Sequence, residues 1–432
     1  MFEKLNLLFP LGNYIRNKSI QNFFFLAFIQ SSNVLITIIS MPLLIQRIGV
    51  DQFGLVNLAL SVIVMLNILV GFGYNLSAPR EVAINQQDKD ALSHILSNVF
   101  SAKILLAIIS SLAIFIGVFG LDLFREYQLV LVFSVLLLFS EATLPLWFFQ
   151  GMEKMKLVSI ANVFSKLLFL MGIVLFIHVP TQSQWVNFLM GFFGLGINLF
   201  LLVYIHIFLK IKFYWPEFSA IWKSLTTNIL LFFSNLGSHI AINGGLIILS
   251  FFSTAEILGM YSLAERVIMV MRMVPSLIVQ ATFPNAARLY LMDRTRFLTF
   301  STKVALLSMG ASAILSIGAY LGADLIIQIL SGRSLPQSVQ VLEILAFIPF
   351  LACINIWNVI VFLINDQKQL LFRTSWLICG YMLVASVFAT AYYGEQGLAI
   401  ALLSTEVASF LISSFFNWKY NRTLVNEFFS TR

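Results

Sequence analysis

Twelve apolar stretches, each long enough to cross a bilayer and separated by short connections that carry most of the charge, dominate this sequence. A helix needs roughly 20 residues to span about 30 Å of hydrocarbon. The first half supplies 22–45, 54–76, 98–120, 128–149, 156–177 and 185–209; the second supplies 226–251, 257–281, 303–325, 337–364, 371–393 and 396–417. Backbone groups in hydrocarbon must bond within their own segment, and the alternating pattern of a membrane barrel is missing, so the spans are helices. Glu265, Arg266 and Arg272 interrupt the run at 257–281. Composition agrees: 59% of residues are apolar and 10% charged, against about 25% charged in a soluble domain. That excludes a cytosolic enzyme, a nucleic-acid-binding domain and a secreted disulfide scaffold. Cys353 and Cys379 sit in apolar runs and imply neither a disulfide framework nor a zinc site. The four histidines form no ligand cluster, the first twenty residues do not read as a cleavable signal, and no cofactor motif is present.

An even number of spans puts both ends of the chain on one side, and basic residues indicate which. Connections on the N-terminal side carry nineteen Lys or Arg, among them Lys4, Arg16, Lys210, Lys212 and Arg432; the opposite connections carry three, Arg47, Arg125 and Arg333. Both termini are therefore expected in the cytoplasm. The same surplus accounts for the net charge of +7 without any nucleic acid. The longest internal connections, 77–97, 210–225 and 282–302, leave no room for a soluble catalytic domain. A phosphate-binding loop of the ATPase type is absent, so the chain does not hydrolyse ATP.

The halves share a weak repeat. Phe53–Val62 lies 205 residues before Leu258–Val267, with four of ten positions identical, including Gly54 with Gly259 and Ala59 with Ala264. Six spans per half make this a parallel repeat about an axis along the membrane normal, an arrangement suited to two rocking bundles. The expected lobes are 1–209 and 226–432, joined by a cytoplasmic linker at 210–225.

Charges inside spans mark candidate function. Each costs roughly 2.5 kcal/mol or more at a helix centre, so it faces an interior or a wet cavity. Lys166, Arg266 and Arg272 lie deep in their spans; Lys103 is close enough to a cytoplasmic end to snorkel. Together they suit an anionic group; the competing reading is internal ion pairing, for example of Lys166 with Glu265. Glu265, Glu141, Glu343 and Glu406 are the coupling candidates, because a carboxyl group buried in a span can carry a proton. Asn235, His239 and Asn243 recur every four residues as one polar stripe, and Gln30 and Asn33 occupy similar depths in the first half. Amides donate and accept without charge, which suits a sugar path and equally suits bonding between helices.

Four segments carry a resemblance. Gly71-Phe-Gly-Tyr-Asn-Leu-Ser-Ala-Pro-Arg80-Glu81 and Leu146-Trp-Phe-Phe-Gln-Gly-Met-Glu-Lys-Met-Lys156 are similar to motifs of bacterial O-antigen flippases of the Wzx type. So are Gly259-Met-Tyr-Ser-Leu-Ala-Glu-Arg-Val, running on to Phe283 and Pro284, and the early Pro42, Arg47, Gly49 and Phe53-Gly54. The resemblance covers roughly residues 20 to 300. It implies the multidrug/oligosaccharidyl-lipid/polysaccharide exporter superfamily, with two six-helix lobes around a central cavity. It further implies a polyprenyl-diphosphate-linked oligosaccharide as substrate, moved between leaflets of a bacterial inner membrane, and a polysaccharide polymerase of the same pathway as a partner. Arg80, Glu265 and Arg266 fall on matching motif positions; Lys103, Lys166 and Arg272 rest on the span reading alone.

The expectation is an all-α integral membrane protein of twelve transmembrane helices, working as a flippase by alternating access, with no covalent chemistry, metal or cofactor. A drug or small-cation antiporter of the same superfamily is the alternative, weakened by the lack of an acid in the first span. A membrane polymerase or glycosyltransferase would be expected to show a large external loop or a cluster of catalytic acids and bases.

Overall fold

A computed structural model describes residues 18–122, 125–365 and 367–430, and its regular elements there are all helical. Lys4, Arg16 and Arg432 of the charge count lie outside the described residues. In chain order the principal helices are α1 (Lys18–Gly71), α2 (Tyr74–Ile84), α3 (Lys89–Phe115), α4 (Leu136–Thr143), α5 (Leu146–Gly151), α6 (Met155–Phe176) and α7 (Gln184–Ile207). Then come α8 (Phe218–Asn243), α9 (Ala255–Met271), α10 (Met273–Met292), α11 (Arg294–Leu321), α12 (Pro336–Leu345), α13 (Ile356–Ile364) and α14 (Lys368–Tyr420).

Nine stretches among the described residues are long and apolar enough to cross a membrane. Two are too long for one crossing. The 54 residues of α1 would make a straight rod of about 80 Å, far beyond the hydrocarbon thickness. The helix breaks at Gly49 (φ 83°, ψ 167°), between the expected spans 22–45 and 54–76. Likewise α14 breaks at Gly394 (φ 57°, ψ −137°), between 371–393 and 396–417. Both conformations are open to glycine and strained for other residues. The expected span at 257–281 is two helices, α9 and α10, parted at Arg272. These elements are consistent with twelve crossings.

Contacts group the chain into two units: residues up to Leu43 with Leu66–Phe232, and Leu44–Met65 with Phe233–Arg432. This grouping departs from the halves expected from six spans each, because the middle of α1 groups with the second unit. The reason lies in the repeat. A Cβ on Gly259 would lie 1.9 Å from the Val50 carbonyl oxygen, and one on Gly54 2.4 Å from the Gly259 nitrogen. The repeat-related glycines therefore let α1 and α9 touch backbone to backbone, as small residues do between membrane helices.

In the first unit α3 shows how burial is sorted. The Asp88 carboxylate caps it, accepting from the Asp90 and Ala91 amides. Ala102, Lys103, Ala107, Ser110 and Ser111 face inward, while Ile108, Ile109 and Leu112 face out. Leu92, Leu96, Val99, Leu106 and Ile114 are buried with them, so the inner face mixes small and polar side chains with apolar ones, as helices packed within a bilayer do. A stripe on α7 zips it to its neighbours. Asn187 donates to Ser134 Oγ (2.9 Å), Gly191 lies against the Leu137 backbone, Gly194 against Ser140, and Asn198 donates to the Ser140 carbonyl (2.7 Å). The two motif segments at 71–81 and 146–156 also meet. Gly151 abuts Pro79 and Val82, and Gln86 donates to the Gly151 carbonyl (2.7 Å). Lys212 and Tyr214 bond through their amides to Ser93 and Ser97, which brings two basic connections to one end of this unit.

The second unit is held by an amide ladder. Asn358 donates to Asn355 and Ser414, Asn417 to Asn358, and Asn421 to Asn417 and Gln367. Tyr290 and Asn365 extend it. The ladder ties α13 to α14 with its amides mutually satisfied, beside an apolar cluster that includes Phe297, Ile356, Ile360 and Leu424.

Candidate functional site

Each unit holds a cavity with charged and polar side chains in its lining. That of the first unit measures about 260 Å³ and is lined by Asn33, Asn67, Ser140, Glu141, Asn162, Ser165, Lys166 and Asn198. Spacing on α6 explains part of this. Asn162 and Lys166 are one turn apart, so both face the same space. The α4–α7 zipper presents Ser140, Glu141 and Asn198 opposite. Lys166 has no hydrogen bond or ion pair among the described residues. Glu141 is occupied: Lys103, which is wholly buried, reaches it at 3.4 Å. Lys103 thus does not snorkel to a headgroup. A cation shielded from water on α3 takes the nearest carboxylate instead.

The cavity of the second unit measures about 330 Å³ and is lined by Arg272, Asn355, Thr374, Ser375, Thr405, Glu406, Ser409 and Ser413, with Ser238 on α8. Arg272, at the break between α9 and α10, forms an ion pair with Glu406 of α14. Sequence reading left Arg272 uncancelled, because its partner lies 134 positions further on. Six residues before that break, Arg266 is half-buried, and its Nε donates to Asn57 Oδ1 of α1 (2.9 Å). No carboxylate pairs with it among the described residues. Neighbouring Glu265 is 6% exposed, and its Oε1 has no hydrogen-bond partner among them.

The remaining candidates scatter. Arg80 is exposed on α2, beside the Pro79 that receives Gly151, and does not line the first cavity. Glu343 is half-buried on α12 without an ion pair among the described residues. Asn235, His239 and Asn243 do not line the second cavity; α8 presents Ser238, Ala241 and Ile242 to it. Asn243 bonds back to the His239 carbonyl (3.3 Å), and Ser238 bonds to Ser375 (2.9 Å). Sequence reading did not single out Asn67, Asn162 and Asn198. The signal for Asn162 was its place four residues before Lys166. No cluster of three metal-ligating side chains exists among the described residues.

Residues 19–290 match the family described as polysaccharide biosynthesis protein. The chain belongs to that family. A curated relative in Escherichia coli (strain K12), named "Putative O-antigen transporter", is 24% identical over 389 residues, covering 89% of this chain and 93% of the relative. Two solved structures show the same fold. An inward-facing multidrug resistance MATE family transporter of the MOP superfamily superposes with a TM-score of 0.68 at 12% identity, over 91% of this chain and 99% of that one. The lipid II flippase MurJ, in an inward closed conformation, gives 0.69 at 13% identity, over 91% and 87%. The expected resemblance, the all-α membrane fold and the reading as a transporter and not an enzyme agree with these matches. The family match contains Arg80, Lys103, Glu141, Lys166, Glu265, Arg266 and Arg272, whereas Glu343 and Glu406 lie beyond it.

Proposed function

We propose that this member of the polysaccharide biosynthesis family is a flippase for polyprenyl-diphosphate-linked oligosaccharide. The load is an O-antigen or similar repeat unit, carried from the cytoplasmic to the periplasmic leaflet of a bacterial inner membrane and there handed to a polymerase. The relative's name supports the load. The bias of basic residues, with two basic connections at one end of the first unit, supports cytoplasmic termini. Sugar and diphosphate cannot cross hydrocarbon unaided, while the prenyl tail stays in lipid. The protein needs only two states that differ in affinity for the load and a coupling ion. The proposed moving lobes follow the halves 1–209 and 226–432, with 44–65 carried by the second, and Glu265, whose Oε1 has no hydrogen-bond partner among the described residues, is the first candidate to exchange a proton.

The observation that carries this reading is Arg266: a guanidinium within a membrane helix, fixed by an amide and in no ion pair with a carboxylate among the described residues. Such a group keeps its charge and most of its donors for a diphosphate. The test is leaflet orientation in proteoliposomes, with an external glycosidase reporting the sidedness of a short polyprenyl-diphosphate glycan. Wild type should move the glycan, and Arg266→Ala should slow it about tenfold or more. Arg266→Lys should restore part of the rate, since charge survives without the fork. Wild type that leaves the glycan in place under an imposed proton gradient, yet exports a small cationic dye, would refute the flippase.

A further inference from the structure

The polar cavity of the first unit contains more hydrogen-bonding groups than the protein itself satisfies. The Oδ1 atoms of Asn33, Asn67 and Asn162 are buried, and each lacks a hydrogen-bond partner among the described residues. Lys166 lines the same space without a partner there. A buried polar group without a partner is costly to keep, so three in one pocket, beside an amino group without a partner among the described residues, are not an incidental feature of packing. By contrast, the amide ladder of the second unit is closed on itself. The difference is one of use: amides that only join helices find each other.

The chemistry narrows the occupant. Lys103 and Glu141 pair at 3.4 Å, which leaves the charge of Lys166 uncancelled and disfavours a metal cation. Three neutral amides around a single amino group are too weakly charged a set for a diphosphate. A half-turn of each amide exchanges its donor and acceptor edges, so the set fits groups that both donate and accept. Hydroxyls on a ring are such groups. At about 260 Å³ the space equals that of eight or nine waters at about 30 Å³ each. That is room for one sugar ring.

We propose that the cavity between α1, α4, α6 and α7 is a monosaccharide subsite. In it Asn33, Asn67 and Asn162 bond the hydroxyls of one pyranose residue, and Lys166 donates to a ring or substituent oxygen. This rests on the flippase reading and deepens it, since the subsite would read one sugar of the load separately from the group that holds the diphosphate.

The test uses the full chain in lipid nanodiscs. Glucose, N-acetylglucosamine and galacturonate are titrated in turn by saturation-transfer NMR, and sodium chloride by ²³Na relaxation. Wild type should bind at least one sugar saturably in the millimolar range. Asn162→Leu and Lys166→Met should each weaken that binding about tenfold. Asn162→Gln, which keeps the amide and shifts it by one methylene, should fall between, and the thermal midpoints establish that each variant is folded. Binding lost in the folded variants supports the subsite. No saturable sugar binding, or binding unchanged in both variants, overturns it. Saturable sodium binding abolished by Asn162→Leu also overturns it, in favour of an ion site. The flipping assay on the same preparations separates the two ideas. Wild type that flips but binds no sugar loses the subsite alone; wild type that binds sugar but does not flip loses the flippase alone.

Discussion

The two polar cavities handle charge in hydrocarbon in opposite ways. In the second unit Arg272 and Glu406 neutralise each other across the space they line, and hydroxyls, one amide and as many apolar side chains as hydroxyls surround them. In the first unit Glu141 also lines the cavity but is held by the wholly buried Lys103, and Lys166 has no partner among the described residues. A paired charge inside a membrane protein is a structural joint, strongly felt when one half is removed. An unpaired one is costly to keep, and such groups mark pathways and sites. The comparison thus sorts the span-embedded bases by what they bond to and not by how deep they sit.

The largest effect should come from the joint in the second unit. Arg272→Ala leaves Glu406, only 13% exposed, as an uncompensated carboxylate. Breaking a buried pair from one side costs about 3–5 kcal/mol, and the thermal midpoint in detergent should fall accordingly. Arg272→Gln combined with Glu406→Gln should recover most of the loss. If the double variant is as unstable as the single, the pair is not what joins α9–α10 to α14. Lys103→Met should act in the same direction but less, by about 1–3 kcal/mol. Glu141 is 25% exposed and keeps some access to water. Adding Glu141→Gln should return the midpoint towards wild type, whereas two additive losses would show that the residues do not interact.

How much of this was legible in the sequence follows from the range of each interaction. The spans were legible because hydropathy is local, and so were the breaks near Gly49 and Gly394, where charge and turn residues interrupt apolar runs. The repeat pointed at Gly54 and Gly259, yet only the fold shows that these equivalent positions meet and draw 44–65 into the second unit. Pairings were not legible. Nothing near Lys103 indicates Glu141, 38 positions away, and nothing near Arg272 indicates Glu406. The amide stripe on α8, whose chemistry would suit a sugar, does not line the cavity of its unit. Asn235, His239 and Asn243 miss the cavity of their unit, while Asn67 and Asn162, unremarkable among apolar neighbours, line that of the other. A helical period gives the face of a helix but not what that face meets.

The smallest effect in stability is the one that separates the cavities most sharply. Lys166→Met removes an amino group that has no partner among the described residues and replaces it with an unbranched apolar side chain of similar length. No acid is left stranded, since Glu141 keeps Lys103. The change should therefore be neutral or stabilising, by up to about 1 kcal/mol, the sign opposite to that for Lys103→Met on α3 of the same unit. Glycan movement should nevertheless fall, because a group retained at a cost to stability is retained for what it binds. A thermal midpoint that rises while flipping slows would fit a site. A midpoint that drops as far as that of Lys103→Met would make Lys166 a second structural joint and erase the contrast between the two units.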